Sequence, residues 1–460
     1  VAADAVPGLV TPGQLVSRQM TRRRIGIIGG GVAGLTAAYV LSRTADVTVI
    51  EAEPRLGGHA HTHRLADRDG SDLWVDSGFI VHNRKTYPLL TRLFTELGVT
   101  VQESEMSLSV SCAGCGLGYA GQRGLGGLAA GLRSGGLRYA RMLTEVLRFH
   151  RAARGLLARD AGPEGEPTLG EFLAAGGYSD YFTRHFALPF VAAVWSCPPQ
   201  TALSYPARYL FAFLNQHGLL SVTGSPPWLT VRGGSRSYVE RIAKQLTAVR
   251  TGARVTAVRR LPADAAGGAA EPAPGRPAAP SVLVTYEDAD GTRAESFDGI
   301  VIATHPDQAL ALLADPSPAE REVLGAFRYS QNETILHTDS GLLPASRWVR
   351  ASWNYALSSC TAADSSVRVS YDMSRLQRLA GSRTYVVTLN APAAVAPEHV
   401  IARMSYAHPV YDPASVAAQQ RLPELNDGLT AYAGAYHGWG FHEDGCRAGA
   451  AAAQSLGGRW

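Results

Sequence analysis

The spacing of apolar residues changes period several times along the chain. Between Arg23 and Glu51 a short apolar block (Ile25, Ile27, Ile28) gives way to three glycines. An alanine-rich stretch from Leu35 to Leu41 and a second block from Val47 to Ile50 follow. Alternation, helical spacing and alternation again predict a βαβ unit. "RKTYPLLTRLFTELGV" at 84–99 predicts a further helix. From about 105 to 230 helical spacing dominates, and Arg138, Arg141, Arg148 and Arg151 share one broad face. Strand-like patterning returns at 228 and resumes at 281–306 after a run rich in proline, glycine and alanine at 261–280. That run reads as a flexible excursion between strands.

These changes predict an α/β fold made from discontinuous segments. Residues 1–20 read as a flexible extension. Residues 21–104, 228–308 and 426–460 read as one Rossmann-like domain, 105–227 as a helical insert on the substrate side, and 309–425 as a second, mixed α+β substrate-binding domain.

Composition narrows the picture. A chain of 460 residues, 46% of them hydrophobic, can bury two domain cores. A net charge of +4 over that length does not argue for nucleic acid. Five cysteines, an odd and sparse set, fit a reducing compartment. Cys112 and Cys115 form a CxxC, but no second pair stands at zinc spacing. They read as ordinary residues, with a redox pair as the alternative, and no metal site is expected. Residues 1–20 lack the pattern of a signal peptide, and no run of about eighteen apolar residues would span a membrane. A cytoplasmic protein is expected.

The chemistry concentrates at both ends of the chain. Gly29, Gly31 and Gly34 form GxGxxG between the predicted strand and helix, and Glu51 ends the next strand. The first glycine permits the turn, the second admits a pyrophosphate, and the third packs helix on strand, while the acid accepts from ribose hydroxyls. The helix N-terminus, at Val32 and Ala33, offers unpaired N–H groups to the phosphates. Gly57 and Gly58 follow closely enough to wrap the same ligand, with Arg55 to balance its charge.

Arg55-Leu56-Gly57-Gly58-His59-Ala60-His61-Thr62 resembles the RxGGRxxS/T motif of the FAD-dependent amine oxidase superfamily. Four more stretches match in order: "VDSGFIVHN" at 75–83, "LTVRGGSRSYVERI" at 229–242, "FDGIVIATHP" at 297–306 and "GFHEDGCRAG" at 440–449. The resemblance implies an amine-oxidase-type, non-covalent FAD site. Gly29, Gly31, Val32, Ala33, Gly34, Glu51, Ala52, Arg55, Gly57, Gly58, His59, Gly78, Phe79, Val255, Gly434, Phe441, His442 and Asp444 would contact the cofactor. Val255 is the candidate for the valine beside adenine.

Departures from the pattern bear on the reaction. The motif's second arginine is His59, a titratable group in place of a fixed charge. No lysine follows Lys244, where amine oxidases commonly carry one. Phe441 occupies one position of the paired tyrosines, and Ala435 follows Gly434 where an acid is usual. The whole is most similar to a bacterial subgroup of FAD oxidoreductases that includes a methyl-fatty-acid desaturase. That resemblance implies dehydrogenation of a C–C bond in an apolar, lipid-like or polyene substrate. Amine oxidation, double-bond isomerisation and a non-catalytic flavin carrier are the alternatives. His82, His437, His442 and Glu443 are the candidate catalytic groups, and Trp195, Trp439 and Phe441 the candidate substrate walls. Individually, each of these polar groups has the alternative of capping a helix or bonding to backbone. The arginine-rich helix reads as a solvated face, with lipid contact as the alternative.

Overall fold

The computed structural model describes residues 22–67, 70–121, 124–160, 166–221, 225–263, 280–361 and 368–460. The proposed extension at 1–20 and most of the run at 261–280 lie outside these residues.

The predicted βαβ unit forms. Strand Arg23–Ile28 pairs in parallel with Ala45–Glu51 on one side and Gly299–Ile302 on the other. Ala248–Thr251 and Thr430–Tyr432 complete a five-stranded parallel sheet. Its inner strands are buried on both faces, which explains their nearly unbroken apolar runs. Segments from 23–51, 248–251, 299–302 and 430–432 thus share one sheet although hundreds of residues separate them.

The helix Val32–Leu41 that follows the glycine turn crosses the last helix, His442–Ser455, at very short range. A Cβ on Gly445 would sit 2.6 Å from Val32 Cγ1, and one on Gly449 would sit 2.2 Å from the Ala33 carbonyl oxygen. Only glycine allows that approach. The crossing brings the first turns of both helices to one place, at the C-terminal edge of the sheet.

A second sheet has seven strands, in the order Val400–Val410, Arg328–His337, Val386–Leu389, Arg368–Asp372, Trp353–Leu357, Leu108–Cys112, Gly118–Gly121. Leu108–Cys112 runs parallel to Trp353–Leu357 and antiparallel to Gly118–Gly121. This corrects the expected boundary at 105: the hairpin 108–121 belongs to the second sheet, not to the helical insert. Leu108, Val110 and Cys112 alternate with Ser109 and Ser111, which is a strand pattern, but a partner more than two hundred residues away settles which sheet the strand joins.

The helical layer then covers this sheet. Helix Gly124–Leu157 is broken at Gly136, whose φ of +53° is non-helical. Leu169–Ala175, Leu188–Trp195 and Ala207–Gln216 follow. Phe149, Phe182, Phe211, Leu210 and Leu214 are buried between these helices. The four arginines of the predicted polar face are all exposed. Among the described residues no helix is long and apolar enough to cross a membrane.

Candidate active site

The glycine turn shows three different environments. Gly29 has φ +102°, and a Cβ there would lie 2.8 Å from the Ala303 carbonyl oxygen. A Cβ on Gly34 would lie 2.0 Å from the Gly29 carbonyl oxygen, so this glycine is required by packing alone. A Cβ on Gly31 would meet nothing within 4 Å among the described residues. The space beside Gly31 is therefore open, and the helix it precedes has no side-chain cap on its first N–H groups. Such a helix start attracts an anion.

The second glycine pair closes the same cradle. Gly57 (φ +113°) donates its N–H to the Gly30 carbonyl at 2.8 Å, and Gly58 (φ +55°) lies against Gly31. Phe79 N–H donates to the His59 carbonyl at 2.7 Å, and a Cβ on Gly78 would collide with that carbonyl. Arg55 Nη1 is buried without a hydrogen-bond partner among the described residues. A buried guanidinium nitrogen lacking an acceptor is costly unless an anion completes it. The open space at Gly31, the uncapped helix and the Arg55 donor together fit a pyrophosphate.

Glu51 accepts from Gly30 N–H at 2.6 Å and from Glu53 N–H at 2.8 Å, which fixes its carboxylate beside the turn. Ala52 next to it is exposed. Ala253 N–H donates to the Glu51 carbonyl, so the buried Val255 enters the sheet region close to that acid. A buried Asp76 ties the segments together: Ser235 donates to it through N–H and Oγ, and Thr62 and Gln377 also donate. Burial pushes the Asp76 carboxyl up to about 6.

Around Gly58 lies a group of imidazoles. His59 packs against Tyr406 and His408 at ring distances of 5.0 and 5.6 Å. Burial, with His408, His305, His442 and Arg55 nearby, holds its pKa well below the usual range. It is a neutral donor or acceptor where the motif's arginine would be cationic. His305 stands at the N-cap position of helix Pro306–Leu312 and stacks on Tyr329 at 4.0 Å.

The C-terminal candidates divide. His442 stacks on Phe79 at 3.6 Å, and its Nε2 pairs with the Tyr238 hydroxyl at 3.2 Å. His437 Nε2 and His82 Nδ1 are buried and lack partners among the described residues. Burial lowers His82 and His437 to about 4 and His442 to about 3. Glu443, a candidate catalytic group, is engaged by backbone. Its two oxygens accept from Leu89 and Leu90 N–H at 3.1 and 3.0 Å, capping helix Pro88–Glu96. That helix starts at Pro88 behind Tyr87, which supplies no side-chain cap, so an acid from another helix completes it. Asp444, expected at the cofactor, accepts from Phe441 N–H and from Arg447, and burial raises its pKa to about 6. It braces the first turn of its own helix. Gly434 is buried, and a Cβ there would strike the Tyr436 ring.

The three candidate substrate residues converge. Trp195 Nε1 donates to the Trp439 carbonyl at 3.1 Å, and its ring lies 6.2 Å from Phe441. Phe213 stacks on Phe441 at 4.5 Å and packs against both tryptophans. Tyr209 donates to the Gly438 carbonyl at 2.7 Å, and Gln419 donates to that carbonyl and to the Tyr436 carbonyl. The helical layer thereby closes on the segment that precedes the C-terminal helix. Phe213 sits on the apolar side of a helix, and no local pattern separates it from a core residue.

Comparison with known proteins gives the family and the fold. The family model for flavin containing amine oxidoreductases matches residues 32–336. The L-amino-acid oxidase of Crotalus adamanteus is 50% identical over 46 residues, which are 10% of this chain and 9% of that protein. The match thus spans about a tenth of the length of that curated relative. A protoporphyrinogen oxidase-like structure from Exiguobacterium sp. 255-15 has a TM-score of 0.63 at 15% identity, covering 94% of this chain and 98% of that one. The CLA-producing fatty acid isomerase of P. acnes has a TM-score of 0.60 at 16% identity, covering 93% and 97%. Such likenesses establish the fold. With a family match over well over half its length and a cradle shaped for a dinucleotide, the chain belongs to the flavin containing amine oxidoreductases and is an FAD-dependent oxidoreductase.

Proposed function

We propose that this oxidoreductase dehydrogenates a C–C bond of an apolar, lipid-like substrate. The observation that carries the reading is the wall formed by Trp195, Phe213, Trp439 and Phe441, with Glu443 and Asp444 both engaged in backbone contacts. These four rings carry no carboxylate to pair with an ammonium substrate. An alkyl or polyene chain needs apolar area and a dry surface.

Bound FAD supplies the hydride acceptor. The chain's own part is to orient the substrate, exclude water and receive the proton. His437 and His82 each keep a buried imidazole nitrogen without a partner among the described residues, and these are the groups proposed to receive the proton. The test is anaerobic mixing of the flavoprotein with acyl lipids, polyenes and amines. Bleaching of the visible flavin band by the lipids but not the amines supports the reading, and reduction by amines alone overturns it. Double-bond movement without bleaching, requiring prereduced protein, would assign isomerisation instead.

The same reading accounts for an exposed apolar row. Leu125, Leu128, Leu132 and Leu137 are 85%, 39%, 49% and 89% exposed, and Trp348, 45% exposed, lies against Gly126. Arg133, Arg138 and Arg141 are exposed on the same segment, and its one acid, Glu145, is buried and accepts from Ser179. Apolar side chains flanked by arginines fit an anionic lipid surface. Co-sedimentation with anionic vesicles, lost in neutral vesicles and in the L125S/L132S variant, is the expected result.

A further inference from the structure

The two cysteines read as ordinary residues are not isolated. Cys112 and Cys115 stand at the turn of the hairpin 108–121, and Cys360 follows strand Trp353–Leu357. His185 lies in the helical layer. The three sulfur atoms and one imidazole nitrogen all lie within 4.8 Å of one another. Cys112 Sγ is 3.6 Å from Cys360 Sγ, and Cys115 Sγ is 3.7 Å from His185 Nε2. A tetrahedral zinc with Zn–S of about 2.3 Å and Zn–N of about 2.0 Å places its ligand atoms about 3.5–3.8 Å apart. We propose that Cys112, Cys115, Cys360 and His185 form a structural zinc site.

The surroundings are built for it. His185 Nδ1 pairs with the Tyr181 carbonyl at 3.0 Å, so Nδ1 carries the proton and Nε2 presents its lone pair to the sulfurs. The Tyr119 hydroxyl holds the His185 carbonyl at 2.7 Å. His185 sits in a widened turn, Thr183–Ala187, where Leu188 N–H reaches back five residues to the Thr183 carbonyl. Such π-turns recur at functional positions. On the hairpin, Gly116 (φ +73°) donates to the Cys112 carbonyl and Cys112 N–H donates to the Leu117 carbonyl. The chain thereby folds back so that both sulfurs lie on one side. Gly114 leaves room for the Cys360 loop, since a Cβ there would lie 3.1 Å from Cys360 N.

A disulfide accounts for the cluster less well. It would join two sulfurs and leave the third, with an oriented imidazole, unexplained. With four protein ligands the site has no open position for substrate or water, which marks it as structural. Three thiolates around a dication leave one negative charge, and Arg184 lies beside it, donating to the Cys360 carbonyl at 3.3 Å. The ion would fasten the helical layer to the edge of the seven-stranded sheet, on the run that leads from His185 to Trp195.

The full-length flavoprotein, purified without chelator from zinc-supplemented cells, should contain one zinc per chain by mass spectrometry of the metal. X-ray absorption at the zinc edge should show three sulfur neighbours and one nitrogen. His185→Ala should lower zinc content at least tenfold, while His185→Cys and Cys197→Ser keep it. Cys197 is buried outside the cluster, so that variant controls for the loss of any thiol. Less than a tenth of an equivalent of zinc in the wild-type protein overturns the proposal. So does a disulfide among these cysteines in protein that still binds FAD.

Discussion

The cofactor cradle and the aromatic wall are built by opposite means. In the cradle, backbone and missing side chains do the work: Gly31 leaves space open, Gly34 and Gly449 permit close packing, and Gly57 reaches back to Gly30. At the wall, bulky rings from distant helices meet, as when Phe213 stacks on Phe441. Backbone geometry of this kind is specified locally and tolerates almost no added atom. A cluster of rings is specified by packing and tolerates exchange of similar volumes. The two regions should therefore respond differently to substitution.

Acid is the largest perturbation, because it acts on both. Burial holds His82, His217, His408 and His437 at about 4 and His442 at about 3, against about 6.5 when unfolded. Below pH 6.5 the unfolded chain binds protons that the folded chain refuses, so stability is lost as pH falls toward 4. Asp76 and Asp444, raised to about 6, act in the other direction, since between about 4 and 6 they hold protons the unfolded chain has released. Five histidines outweigh two acids. Thermal melts from pH 8 to 4 should show a monotonic fall below 6.5, with flavin release and tryptophan exposure together.

Phe213→Ala should separate the regions. Removing the ring should cost about 3–5 kcal/mol in denaturant unfolding. Substrate-driven flavin bleaching should slow at least tenfold, yet purified protein should still carry FAD. If flavin is lost along with the ring, the wall and the cradle are one unit. Gly34→Ala gives the reverse pattern, since its Cβ would sit 2.0 Å from a carbonyl oxygen. A destabilisation of about 3 kcal/mol and colourless protein are expected.

Gly31→Ala sharpens the contrast. Its Cβ meets nothing, so the apoprotein should unfold within about 0.5 kcal/mol of wild type. FAD affinity, measured by titrating apoprotein, should nevertheless fall tenfold or more. The smallest effect belongs to Glu443→Gln, which keeps an acceptor at the start of helix Pro88–Glu96 and removes its charge. A loss of about 1 kcal/mol is expected, with turnover within a few-fold of wild type. A hundredfold loss of turnover would return Glu443 to the reacting centre.

The part of the site legible in the linear chain was the part made by short-range geometry. Gly29, Gly31, Gly34 and Glu51 lie within one βαβ unit, where turn and helix start are set by neighbours. The same holds for Gly57 and Gly58. The partner of Glu443 was not legible because a carboxylate at a helix start is consistent with several partners, and the one it has, helix Pro88–Glu96, lies more than three hundred residues upstream. The boundary at 105 failed for a related reason, since the strand at 108–112 takes its partner from 353–357.

The order of elements, the dinucleotide turn and its membership in a flavin-binding family follow from patterns of a few dozen residues, because glycine conformations and apolar periodicity are properties of adjacent positions. The aromatic wall, the cap on helix Pro88–Glu96 and the Cys112, Cys115, Cys360 and His185 cluster arise from long-range packing. Such contacts depend on where each sheet and helix comes to rest, and side chains that meet there carry no shared local signature.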